Sequence, residues 1–212
     1  MQALMNAAAA DLYTFESPPM LVVLSGPSGV GKDTLLHCLK RRGYEFAFVV
    51  TMTTRPRRAN EVDGVDYFFV SEAEFERLIR EDGFLEHSLV YGDHKGIPKA
   101  QVRNAFATGH DVIMRIDVQG AAKIRALVPN VVTVFIAPET EDELIERLRE
   151  RNTEDGEKLQ RRIATAREEM RRRDEFDYVV VNRGGCQERA VDQIVSIITA
   201  EHCRVGRTAA EI

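Results

Sequence analysis

The chain has 212 residues, 44% of them apolar and 30% charged, which suits one α/β core with inserted lobes and is too short for two full-sized domains. No apolar run approaches the roughly 18 residues of a membrane-spanning helix, and a net charge of −5 argues against a general nucleic-acid binder, so any anion site must be local. Cys38, Cys186 and Cys203 are widely spaced with no CxxC pair, and their odd number suits a reducing compartment better than a disulfide framework.

Residues 1–19 read as a leader whose only charges are Asp11 and Glu16, unlike a targeting peptide, so a cytoplasmic location is expected. The apolar run 21–24 predicts a buried strand that feeds a glycine-rich turn, and residues 34–40 have helical spacing closed by Gly43. Four further apolar runs, 46–50, 112–116, 131–136 and 178–181, predict parallel strands buried on both faces. Helices are expected between and after them at 99–108, 119–127, 141–151, 158–173 and 187–201. The fold class is therefore α/β, a five-stranded parallel sheet flanked by helices, with its ligand site at the strand carboxyl ends. Two segments break this rhythm. Residues 51–97, with extended stretches at 66–70 and 84–90, read as an acceptor lobe, and 138–162, arginine-rich and helical, as a lid; 20–50, 98–137 and 163–212 then form the core.

Gly26-Pro27-Ser28-Gly29-Val30-Gly31-Lys32-Asp33-Thr34 follows a predicted strand and opens a predicted helix, the setting in which G-x-x-x-x-G-K cradles phosphates. Backbone N–H groups and the helix N-terminus would face the ATP phosphates, with Lys32 on the β- and γ-oxygens. The residue after the lysine is Asp33 rather than Ser or Thr; its carboxylate is a candidate Mg²⁺ ligand that adds negative charge beside the triphosphate. Further on, Thr51 to Phe69 gathers Arg55, Arg57, Arg58, Glu61 and Tyr67, and arginine forks there make a plausible clamp for a second phosphorylated molecule.

The string T-T-R-P-R-R-A-N-E-V-D-G-V-D-Y-F-F-V, with F-L-E-H at 84–87 and I-D-V-Q-G at 116–120, is similar to the acceptor-binding signature of the guanylate kinase family, and the resemblance covers residues 20–201. It implies transfer of the ATP γ-phosphoryl group to GMP, with Mg²⁺ as cofactor, by a monomer or homodimer. By resemblance Arg55, Arg58, Glu61 and Tyr67 would hold the GMP phosphate and Thr51, Glu86 and Asp117 would face guanine, while Arg147, Arg151 and Arg162 would reach the phosphates from the lid. The chemistry agrees: a carboxylate at Glu86 accepts from the N1–H and N2–H of guanine, and a hydroxyl at Thr51 suits O6.

Three positions depart from the family pattern. Lys95 and Ile97 stand where many members have a phosphate-touching tyrosine and a base-touching serine; Lys95 can still bind phosphate, whereas Ile97 cannot bond guanine. Arg115 replaces an acid two residues before Asp117, and with Asp33 it suggests that the acid has moved into the P-loop and Arg115 balances it. The K-G-I-P and G-V-G-K-D wording resembles a plant-organelle branch of the family. The family's usual glycine after the middle lid arginine is Asn152 here. His87, His94, His110 and His202 show no metal-ligand spacing. The competing readings are another small-molecule P-loop kinase, such as one resembling ribose 1,5-bisphosphate phosphokinase, and a non-catalytic interaction module on the same fold.

Overall fold

The computed structural model describes residues 17–59, 61–90, 92–150, 156–185, 187–210 and 212. Strand β1 (Leu21–Ser25) is buried along its whole length because it lies at the centre of a parallel sheet covered on both faces. Its neighbours are β7 (Val112–Arg115) on one side and β8 (Val132–Ala137) on the other; β2 (Ala47–Phe48) and β9 (Tyr178–Val181) form the edges, giving the order β2-β7-β1-β8-β9. The five expected parallel strands are thus present.

Alternate residues of β1 feed two cores. Val22 and Leu24 pack with Leu35 and Leu39 of α1 (Lys32–Arg41) and with Val191, Ile194 and Ile198 of α7 (Gln187–His202). Leu21 and Val23 face the opposite layer, with Val102 of α3 (Lys99–Phe106) and Ala121 and Ile124 of α4 (Val118–Leu127). This period-2 division is what a strand buried on both faces requires.

The expected strand 46–50 is shorter than its apolar run. Only Ala47 and Phe48 pair with β7, after which the chain leaves this sheet and enters a second one as β3 (Thr51–Thr53). That smaller mixed sheet has the order β4-β3-β6-β5, with β4 (Tyr67–Phe69) parallel to β3, and β5 (Phe84–Val90) and β6 (Asp93–Pro98) forming an antiparallel hairpin. Between β4 and β5 lies α2 (Glu72–Arg80), a helix the sequence reading passed over, capped by the Ser71 side chain accepting from the Glu74 N–H at 3.2 Å. Helices α5 (Glu141–Glu150) and α6 (Gly156–Arg171) follow β8, and α6 runs straight through the expected lid boundary at 162. None of the described helices is long and apolar enough to cross a membrane.

Candidate active site

The two sheets leave between them a cavity of about 470 Å³ into which the P-loop, the smaller sheet and α6 all project. Its floor is the turn from β1 to α1. Gly26 has φ 137 and its α-carbon faces the Ile136 carbonyl, 2.2 Å from where a Cβ would sit, so only glycine lets the loop close against β8. Gly31 begins α1 in the left-handed region, beside the Asn182 amide. Asn182 Nδ2 donates to the Val30 carbonyl at 2.7 Å and Arg147 donates to the same oxygen at 3.0 Å, so Arg147 of α5 braces the P-loop from outside.

Lys32 folds back over the loop, donating to the Gly26 and Pro27 carbonyls at 2.6 and 3.0 Å. Burial lowers its pKa to about 8, with the Glu169 carboxylate pulling the other way. Glu169 of α6 accepts from the Ser28 N–H at 3.2 Å, and Arg162 donates to the Ser28 hydroxyl at 3.1 Å. A carboxylate therefore sits on a P-loop amide, the kind of donor that a phosphate oxygen would use. Glu169 carries no motif, and neither it nor Arg161, which also lines the cavity, was assigned a site role from the sequence. Arg151 and Asn152 lie outside the described residues.

Asp33 at the start of α1 accepts from Arg115 at the end of β7, the pairing expected from their joint departure. The same guanidinium donates to the Asp66 carbonyl at 2.9 Å and lies 4.4 Å from the centre of the Tyr67 ring. Arg115 thus ties the P-loop side of the cavity to the smaller sheet.

In the segment between β3 and β4, Glu61 grips Arg55 through two bonds of 2.8 and 2.7 Å and takes the Arg58 N–H at 2.9 Å. Burial raises the Glu61 pKa, but the Arg55 fork and Arg58 outweigh it, and the carboxyl is held below its ordinary range. Glu61 therefore orients the two arginines; an acceptor-only carboxylate has no donor for a phosphate oxygen. Arg55 also lies 5.0 Å over the Tyr67 ring, and burial lowers the pKa of Lys95 on β6.

At the far end, Glu86 on β5 is buried, as is Ile97 opposite it in the hairpin register. Burial first and then the charge of Asp117 raise the Glu86 pKa to about 7, against the pull of Lys123. Asp117 caps α4, accepting from the Gln119 and Gly120 N–H groups at 2.9 Å each, and takes the Ser88 hydroxyl at 3.2 Å. Thr51 donates to the Arg115 carbonyl at 3.2 Å, so its hydroxyl must turn before it can donate to a base. Of the expected site residues, Lys32, Asp33, Thr51, Arg55, Arg58, Tyr67, Glu86, Lys95, Asp117 and Arg162 all line the one cavity.

A parallel α/β core with a lysine-bearing phosphate loop, facing arginines across a shared cavity, defines a P-loop nucleotide kinase. The family model described as guanylate kinase matches residues 19–201. A guanylate kinase 2, chloroplastic/mitochondrial, of Oryza sativa is 47% identical over 92% of this chain and 68% of that protein. A guanylate kinase of Caldanaerobacter subterraneus is 43% identical over 89% of this chain and 90% of its own. The crystal structure of the guanylate kinase from Anaplasma phagocytophilum superposes with a TM-score of 0.75 at 30% identity, covering 91% of this chain and 90% of that one. The chain belongs to the guanylate kinase family.

Proposed function

We propose that this guanylate kinase, an ATP:GMP phosphotransferase, holds its two substrates at opposite ends of the 470 Å³ cavity, with the reacting phosphates meeting between Lys32 and the Arg55–Arg58 pair. The observation that carries this reading is that one cavity is lined both by the P-loop and by Glu86. Lys32, the P-loop amides and Arg162 neutralise the triphosphate, whereas Arg147, expected on the phosphates, supports the loop from outside through the Val30 carbonyl. Arg55, Arg58 and Lys95 hold the acceptor phosphate, beside the Tyr67 hydroxyl. Glu86 accepts from the guanine N1–H and N2–H, and Thr51 and Asp117 flank the base.

Phosphoryl transfer asks the protein for alignment and charge neutralisation more than for covalent help. No general base is required, since a phosphate monoester with a second pKa near 6 is largely a dianion at neutral pH. Before ATP phosphates can settle on the loop, the Glu169 carboxylate must leave the Ser28 amide; its like charge favours that exchange once α6 moves with its arginines.

Among the described residues no group of three His, Cys, Asp or Glu side chains could hold a metal ion. Mg²⁺ is usually held by one or two carboxylates together with substrate phosphates and water, and Asp33 lines the cavity with its carboxylate partly exposed. Asp33 would offer the hard oxygen, and the ion would offset charge on the phosphates during transfer. Arg115 balances the Asp33 charge that a hydroxyl at this position would not bring.

ADP release from Mg-ATP is measured with GMP, dGMP, AMP, UMP and ribose 1,5-bisphosphate as separate acceptors. Turnover confined to the guanine nucleotides is expected. Turnover with the sugar bisphosphate alone, or ATP binding without turnover on any acceptor, would overturn the reading.

A further inference from the structure

The carboxylate of Glu86 has only 2% of its side chain exposed, yet it is approached from two sides. In front lies the nucleotide cavity; behind β5 is a second cavity of about 250 Å³, bordered by Phe84, His87 and Lys123. Lys123 rises from α4 at the mouth of this rear cavity, half exposed, with its ammonium 3.2 Å from Glu86 Oε1. It also donates to the His87 carbonyl, so two of its three donors fasten on successive residues of one strand. Oε2 is pressed against Gly120, where a Cβ would come within 2.9 Å. The carboxylate is thus wedged between the first turn of α4 and a lysine one turn further on.

We propose that Lys123 is a positioning residue for base recognition, holding the Glu86 carboxylate from behind β5 in the charged, forward-facing state that the donor edge of guanine requires. The inference rests on Glu86 being the guanine reader. Its physical content is a balance of groups around one buried acid. Burial and Asp117, at the cap of α4, favour the neutral form; Lys123 and the Ser88 side chain favour the charged one. His87, next on the strand, has its own pKa lowered by burial and by Lys123, so it adds little positive charge. Lys95, half-buried on β6, lines the nucleotide cavity, where its charge acts on Asp117. Lys123 is therefore the cation that touches the carboxylate, and with it the Glu86 pKa stands at about 7. Without it the acid would be neutral at pH 7, and a neutral carboxyl offers guanine a donor where two acceptors are needed.

The test is the KM for GMP at pH 6.5, 7.5 and 8.5 in wild type, Lys123→Met and Lys123→Arg. KM for ATP and the thermal midpoint are recorded for each. With the Glu86 carboxyl moved up by about one pKa unit, Lys123→Met should raise the GMP KM about eightfold at pH 6.5 and about threefold at pH 7.5, and nearly converge on wild type at pH 8.5. Lys123→Arg should stay near wild type, and KM for ATP should not move. A GMP KM unchanged at every pH, or raised by one constant factor across the range, would overturn the proposal. Glu86→Gln run alongside separates the two levels: loss of guanine preference there with no effect of Lys123→Met rejects Lys123 alone. Retained preference in Glu86→Gln removes the base-reading role on which the inference stands.

Discussion

Glu86 is a buried acid that the fold keeps at a cost. Its folded-state pKa of about 7 lies above the ordinary 4.5, so the native protein binds this proton more tightly than the unfolded chain does. The resulting stabilisation is fully present below pH 4.5 and is lost as the pH rises through 7, a loss on the order of 3 kcal/mol at most. Glu86→Gln removes the ionisation. The variant should therefore melt higher than wild type at pH 8, by about 5 °C or more, and show little of that gain at pH 5. Calorimetry at the two pH values reads this directly, and an equal shift at both would mean that Glu86 is not strained by its charge. Residues kept against stability in this way are expected where binding needs them.

The same carboxylate depends on the element beside it. Helix α4 starts at the Asp117 cap and passes Gly120 against Glu86 Oε2, so the glycine is there for space rather than for backbone freedom. Gly120→Ala should improve intrinsic helix propensity by about 1 kcal/mol while driving a methyl group into the carboxylate. KM for GMP should rise on the order of tenfold, with KM for ATP unchanged, because displacement of a positioning group by a fraction of an ångström is expensive in rate and binding. Steady-state kinetics with each substrate varied in turn would check it.

Elements differed in how plainly the sequence announced them. The core strands were readable because four or five consecutive apolar residues have few other places to go, and the P-loop because its glycines and lysine carry a mechanism. Helix α2 was missed although Ser71 and Glu74 stand at capping-box spacing; its short apolar stripe was lost inside a segment read as irregular. Strand β3 is only three residues long, and its pairing with β6 is decided by a partner distant in the chain. In the site, the arginines, Lys32 and Glu86 were legible through motifs. Glu169, Arg161 and Lys123 were not, since each is an ordinary charged residue on a helix until the packing of that helix brings it to the cavity or the strand.

At the scale of the whole molecule, a chain of net charge −5 brings seven of its lysines and arginines to one cleft between two sheets. One side of the cleft is the α/β core, with β1 buried throughout; the other is a small mixed sheet joined to it through the turn from β2 to β3. Arg115 spans the two, bonded to Asp33 on one and to the Asp66 carbonyl on the other. On the proposed assignment, substrate selection is a property of the cleft as a unit: the arginines accept any phosphate monoester, and the base end decides which nucleotide stays.

The most direct test of this account compares kcat/KM for GMP with that for inosine monophosphate, which keeps N1–H and O6 but lacks the N2 amine, in wild type and Glu86→Gln. Wild type should prefer GMP by about a hundredfold, the scale of a lost hydrogen bond to a buried charged partner. In Glu86→Gln the preference should collapse to a few-fold through loss of GMP activity, while KM for ATP holds. A variant that still favours GMP as strongly as wild type would contradict the assignment of Glu86 as the residue that reads the base.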